Sequence, residues 1–85
     1  MSYSIRFVGS AERALANITK RDQKKIALRI DALAHDPRPP GSRKLVGGTN
    51  EYRIRIGDYR VVYSVEDRKV LVIVIRIAHR KDIYR

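Results

Sequence analysis

Glu51-Tyr52-Arg53-Ile54-Arg55-Ile56-Gly57-Asp58-Tyr59-Arg60-Val61-Val62-Tyr63-Ser64-Val65 alternates in character on both sides of a central Gly-Asp step. A period of two on both arms of such a step is the pattern of a tight β-hairpin. With Gly57-Asp58 as a two-residue loop, Ile56 opposes Tyr59, Arg55 opposes Arg60, Ile54 opposes Val61 and Arg53 opposes Val62. Opposed residues share a face of the sheet. Tyr52, Ile54, Ile56, Tyr59, Val61, Tyr63 and Val65 then form a core side, and Arg53, Arg55 and Arg60 project from the other. Like charges facing each other across a strand pair cost up to about 1 kcal/mol. A local rule broken three times on one face points to function. An anion relieves the repulsion, and the planar arginine fork suits phosphate in particular.

Upstream of the hairpin, residues 3–8 place Tyr3, Ile5 and Phe7 on one side, as a half-buried strand does. Ser10 is the expected N-cap of a first helix carrying Ala11, Ala14, Leu15 and Ile18. A second helix runs from Lys20 to His35 with Ile26, Ile30, Leu33 and Ala34 as its apolar stripe. Its opposite face carries Lys20, Arg21, Lys24, Lys25 and Arg29, and Pro37 stops it. Asp36–Gly41 is a stiff loop, Arg43–Val46 a short edge strand and Gly47-Gly48 a turn. A last strand covers Lys69–Ala78. The expected fold is α+β: two N-terminal helices packed on one face of a mostly antiparallel sheet of four to five strands, in the order β-α-α-β-β-β.

The chain has 85 residues, which makes residues 1–85 a single domain. Its 19 Lys and Arg against 9 Asp and Glu give a net charge of +10. Such an excess opposes compaction and suits a polyanionic partner. A hydrophobic fraction of 44% is that of a folded domain, not of a basic tail. With no cysteine, disulfides, thiolate zinc sites and thiol nucleophiles are excluded. The two histidines stand far apart, and Gly47-Gly48 does not open a phosphate-binding loop, so no metal or cofactor is expected. Neither a signal peptide nor a membrane-spanning stretch is present, and a soluble cytoplasmic protein is the expectation.

The last strand extends the arginine face. A two- or four-residue loop around Asp67-Arg68 pairs Val65 with Val70 and Arg60 with Ile75, bringing Ile73, Ile75, Ile77 and His79 onto that face. The result is a concave surface with an apolar floor and a cationic rim, suited to a nucleotide. The tail Ala78-His79-Arg80-Lys81-Asp82-Ile83-Tyr84 adds an imidazole, a guanidinium, an ammonium and a phenol beside it.

Four segments carry a resemblance: Lys44-Leu45-Val46-Gly47, Tyr52-Arg53-Ile54-Arg55, Asp58-Tyr59-Arg60-Val61-Val62-Tyr63 and Ile77-Ala78-His79-Arg80-Lys81-Asp82-Ile83-Tyr84. Together they resemble the RelE/ParE superfamily of bacterial and archaeal toxins over nearly the whole chain. RelE-like members cut mRNA in the ribosomal A site, using the 2′-OH as nucleophile and no metal. The resemblance therefore implies an endoribonuclease, an mRNA and ribosome partnership and a cognate antitoxin, with DNA reached only through the antitoxin complex. It implies catalytic roles for Arg55, Arg60, Arg80 and Tyr84, with Lys44, Arg53 and Lys81 holding the RNA. Well-studied RelE proteins have lysines where this chain has Arg53 and Arg55, and arginine does not readily give up a proton. His79 or Tyr84 is then the expected proton acceptor. ParE-like members instead inhibit DNA gyrase without catalysis, the alternative reading.

Overall fold

The computed structural model describes residues 2–83. Its elements are β1 (Ser4–Phe7), α1 (Gly9–Ala16), α2 (Lys20–Ala32), β2 (Arg43–Lys44), β3 (Glu51–Ile56), β4 (Tyr59–Glu66), β5 (Leu71–His79) and α3 (Arg80–Ile83). They form one five-stranded sheet of order β1-β5-β4-β3-β2. The α+β architecture follows the expectation, with the four-residue α3 added after the last strand. Among the described residues the one parallel pair is β1 with β5, and α1 and α2 carry the chain from β1 at one edge of the sheet to β2 at the other. Among the described residues no helix is long and apolar enough to cross a membrane.

The core lies between the two long helices and one face of the sheet. Ala11, Ile26, Ile30 and Leu33 from the helical side meet Ile54, Ile56, Val61, Tyr63, Val65, Val72, Val74 and Ile77 from the strands. The hairpin has the expected register at every pair, from Ile56 opposite Tyr59 to Arg53 opposite Val62. Gly57 (φ 60°) has positive φ and Asp58 does not, the pattern of a type II′ turn with glycine first.

Helix ends differ from the sequence reading. Helix α1 starts at Gly9 with Val8 as N-cap and no side-chain cap bond, so Ser10 is already inside the helix. Helix α2 ends at Ala32, not His35. The loop after it is tied to the sheet by Arg38. Its guanidinium pairs with Asp67 at 2.8 Å and donates to the Tyr52 hydroxyl at 3.0 Å. Tyr3 donates to the same Asp67 carboxylate at 2.7 Å, and together these partners hold it below the usual carboxylate range.

The main departure is in β5. A loop of residues 67–70, ending at Val70 in the left-handed region (φ 51°), pairs Glu66 with Leu71 and Val65 with Val72. The ladder then slips between Val62 and Tyr63: Tyr63 opposes Val74, but Val62 opposes Arg76, leaving Ile75 as the extra residue of a β-bulge. One extra residue inverts the faces beyond it. Ile73 stays on the arginine side, opposite Ser64, whereas Ile77 and His79 turn to the helix side opposite Val61 and Tyr59. Arg60 accordingly opposes Ala78, not Ile75, and Val65 opposes Val72, not Val70. Ile77 is 6% exposed, so Ile77→Lys is expected to destabilise by several kcal/mol, roughly 3–5, through an unpaired buried charge. Arg76→Gln on the exposed face is expected to stay within about 0.5 kcal/mol. Denaturant melts of the pair check the bulge, and an unbulged strand would tolerate the lysine.

Candidate active site

The open face of the sheet carries two rows of side chains. One runs Arg43, Arg53, Val62, Arg76 from β2 to β5, and the next runs Arg55, Arg60, Ala78. Arg55 and Arg60 are directly opposite each other, as are Arg43 and Arg53. The bulge adds Arg76, and the β2 register adds Arg43. Lys44 opposes Tyr52 and lies on the other side of the sheet, so Arg43 is the β2 residue that enters the patch. Arg29 of α2 reaches the sheet edge and, with Arg43, Arg53 and Arg55, borders a cleft of about 280 Å³.

A second cleft, of about 150 Å³, is lined by Arg55, Gly57, Asp58, Tyr59, Arg60 and Arg80. Three guanidinium groups thus come together from β3, β4 and the start of α3. Arg80 is positioned by its backbone, whose N–H donates to the Asp58 carbonyl at 2.6 Å. Its guanidinium lies 3.8 Å from the Asp58 carboxylate with both side chains well exposed, a weak pair that leaves Arg80 available to a phosphate. Burial, helped by Asp22 and Asp58, pushes the Tyr59 phenol above its ordinary range.

His79 is not among these groups. Its ring meets Tyr59 edge-on with centroids 5.1 Å apart, and its Nδ1 accepts the Lys81 N–H at 3.2 Å. It lines a different cleft with Asp22, Lys25 and Ile26, on the helix side of the hairpin. The imidazole expected beside the arginines is therefore separated from them by the sheet, because the bulge inverted the end of β5. Lys81 is exposed on α3, next to Arg80. Tyr84 lies outside the described residues. The residues missed from sequence are Arg43 and Arg76. Arg76 carried a usable signal: an unbulged strand with Val72 and Val74 in the core forces this charge into the core as well.

The order and packing of these elements define a RelE-like toxin fold. The archaeal RelE–RelB complex from Pyrococcus horikoshii OT3 superposes with a TM-score of 0.84 at 28% identity, covering 94% of this chain and 97% of that one. The intact E. coli RelBE toxin–antitoxin complex gives 0.82 at 26% identity, covering 92% and 96%. A family described as the ParE toxin of the type II toxin–antitoxin system parDE matches residues 4–84. Toxin RelG of Mycobacterium tuberculosis is 32% identical over 88 residues, spanning 100% of this chain and 99% of that protein. The chain belongs to the RelE/ParE superfamily of type II toxins.

Proposed function

We propose that this toxin is a ribosome-dependent endoribonuclease that cleaves mRNA in the A site without a metal ion. The observation that carries the reading is the convergence of Arg55, Arg60 and Arg80 on one cleft. In the proposed step the ribose 2′ oxygen bonds to phosphorus, the P–O5′ bond breaks, and a 2′,3′-cyclic phosphate forms. Charge builds on the non-bridging oxygens, and fixed cations aimed at them are usually the largest catalytic contribution. Arg60 and Arg80 take that role, with Arg55 beside them. Tyr84 is the proton acceptor left from the sequence reading, and the leaving O5′ takes its proton from water. Lys44, Arg53 and Lys81 were the RNA-holding residues by resemblance. The register favours Arg43 in place of Lys44.

The Pyrococcus and E. coli relatives were solved as toxin–antitoxin complexes, which supports a cognate antitoxin as partner. An acidic segment of such a partner would offset part of the +10 charge, and DNA would be reached only through that complex. A toxin acting on translating ribosomes would work in the cytoplasm.

The test is brief expression in cells with mRNA 5′ ends mapped by primer extension, Arg80→Ala alongside. Cuts within translated codons, absent in the variant and when initiation is blocked, are expected. Growth arrest with intact messages and damaged or relaxed DNA would instead identify a gyrase poison. For His79→Ala the pH–rate profile near neutrality is expected to superimpose on that of the parent. A flattened profile would return the imidazole to the reaction.

A further inference from the structure

Asp58 brings a negative charge into the cleft of Arg55, Arg60 and Arg80, where the proposed chemistry calls for positive charge. Among the described residues lining that cleft it is the one carboxylate. It lies in the turn between the strands that carry Arg55 and Arg60. Its backbone carbonyl accepts the Arg80 N–H at 2.6 Å, and its carboxylate stands 3.8 Å from the Arg80 guanidinium. The turn thus ties the third arginine to the hairpin that holds the other two. A helix of four residues has little order of its own, so Arg80 depends on this tie. Asp58 also lines the cleft on the helix side of the hairpin, together with Lys25. The Lys25 ammonium stands against the same turn, 3.3 Å from where a Cβ on Gly57 would lie. We propose that Asp58 is a two-position latch. It pairs with Arg80 while the cleft is empty, and it turns toward Lys25 when an RNA phosphate takes its place. This latch rests on the reading of the cleft as a phosphodiester site and adds the group that the phosphate must displace.

Three features lead to that assignment. The pair with Arg80 is longer than a hydrogen bond and its side chains are 66% and 64% exposed. Such a pair biases where a guanidinium rests without holding it firmly. A phosphate offers the arginine fork two acceptors at once, so it wins the exchange. Next, a carboxylate that stayed beside Arg80 would repel the incoming phosphate, and Lys25 gives it a second cation on the far side of the turn. Finally, the cyclic phosphate product meets the same carboxylate as the substrate. Asp58 therefore weakens substrate and product alike, and its influence falls on KM rather than on kcat. It is a positioning residue that acts through Arg80.

The test follows binding of a 2′-O-methyl trinucleotide, which lacks the attacking hydroxyl, to the intact toxin by fluorescence anisotropy. The salt is set at about 0.1 M, where charges beyond about 10 Å are largely screened. Asp58→Asn is expected to bind about threefold to fivefold tighter, the range an exposed ion pair commands. Asp31→Asn makes the same change of net charge at an exposed α2 position outside the cleft, and is expected to gain less than about 1.5-fold. With Arg80→Ala in both proteins the gain from Asp58→Asn is expected to fall to about that of Asp31→Asn, because the carboxylate has lost its partner. Lys25→Gln is expected to weaken the parent by about twofold and the Asp58→Asn variant by less. Steady-state cleavage on programmed ribosomes is expected to show KM lowered by the same factor with no rise in kcat. Unchanged or weaker binding by Asp58→Asn, no binding by either protein, an equal gain from Asp31→Asn, or a gain that survives Arg80→Ala would each overturn the latch. The binding assay needs neither ribosome nor cleavage, so it separates the two readings. Tighter binding through Arg80 with intact cellular messages would overturn the endoribonuclease alone. Codon cleavage with affinity unmoved by Asp58→Asn would overturn the latch alone.

Discussion

Arg60→Ala is expected to slow mRNA cleavage by about 10²–10³-fold, the usual loss when one preorganised donor to a developing oxyanion is removed. The size of the effect follows from where Arg60 stands. It is half-buried on β4, with β3 and β5 hydrogen-bonded on either side, so its backbone is held by two ladders. Arg80 sits on a four-residue helix and is exposed, and Arg55 is exposed on β3. A cation held in place before the substrate arrives needs little reorganisation during the reaction, and preorganisation is what gives such groups their weight. The loss at Arg80→Ala should therefore be smaller than at Arg60→Ala. Arg60→Lys keeps a charge but not the two-pronged donor geometry, and is expected to recover only about one decade. Single-turnover cleavage on programmed ribosomes measures all three, with circular dichroism confirming that each variant is folded. Cleavage by Arg60→Ala within threefold of the parent would remove this side chain from the transition state.

The contrast between β3–β4 and β4–β5 shows which parts of this site were legible in the sequence. The hairpin was readable because both arms keep a strict period of two and because Gly57-Asp58 is too short to allow another register. All of its pairs, including the opposed Arg55 and Arg60, stand as the alternation requires. The next connection has no such marker. Its four-residue turn ends in Val70, a β-branched residue in a conformation that favours glycine, so nothing in Asp67-Arg68-Lys69-Val70 announces the geometry. The bulge at Ile75 is hidden because every residue from Leu71 to Ile75 is apolar, and an alternation rule has nothing to count there. Arg76 alone marks it. Two site assignments followed that hidden residue: His79 went to the wrong face, and Arg76 went unnoticed. The face of Lys44 was hidden for a simpler reason, since in a two-residue strand one step of register decides it. The parallel seat of β1 beside β5 is a long-range pairing with no local turn to set it. Its alternation told which side of β1 is buried, but not against which strand.

Tyr63 anchors the sheet that carries the arginine face, and Tyr63→Ala is expected to remove a large share of the protein's stability. It is the largest fully buried side chain among the described residues. Its ring stacks on Tyr52 with centroids 6.0 Å apart, and its hydroxyl donates to the Pro37 carbonyl at 2.8 Å. Truncating a buried aromatic to alanine costs about 3–5 kcal/mol. At roughly 0.05–0.15 kcal/mol per residue, a chain this short has only about 4–13 kcal/mol in total. Tyr63→Phe keeps the ring and loses the hydrogen bond, at a cost of about 1 kcal/mol near neutral pH. The two side chains part company in alkali. Burial pushes the Tyr63 phenol up to about 12, against an ordinary value of 10. A group whose folded value is raised contributes stability that is fully present below the unfolded value and is lost as pH climbs through the folded one. For Tyr63 that window runs from about pH 10 to 12, at roughly 1.4 kcal/mol per pH unit, or on the order of 2–3 kcal/mol in all. Tyr3 and Tyr59 are raised too, so the parent alone does not isolate Tyr63. The difference between parent and Tyr63→Phe does. Urea melts at pH 8 and pH 11.5 are expected to show the phenylalanine variant weaker at the first and equal or stronger at the second. A constant gap at both would mean that the phenol is not sealed beneath the loop after α2. The same β4 strand holds Tyr63 under the sheet and Arg60 above it, so anything that loosens the loop at Pro37 would also loosen Arg60.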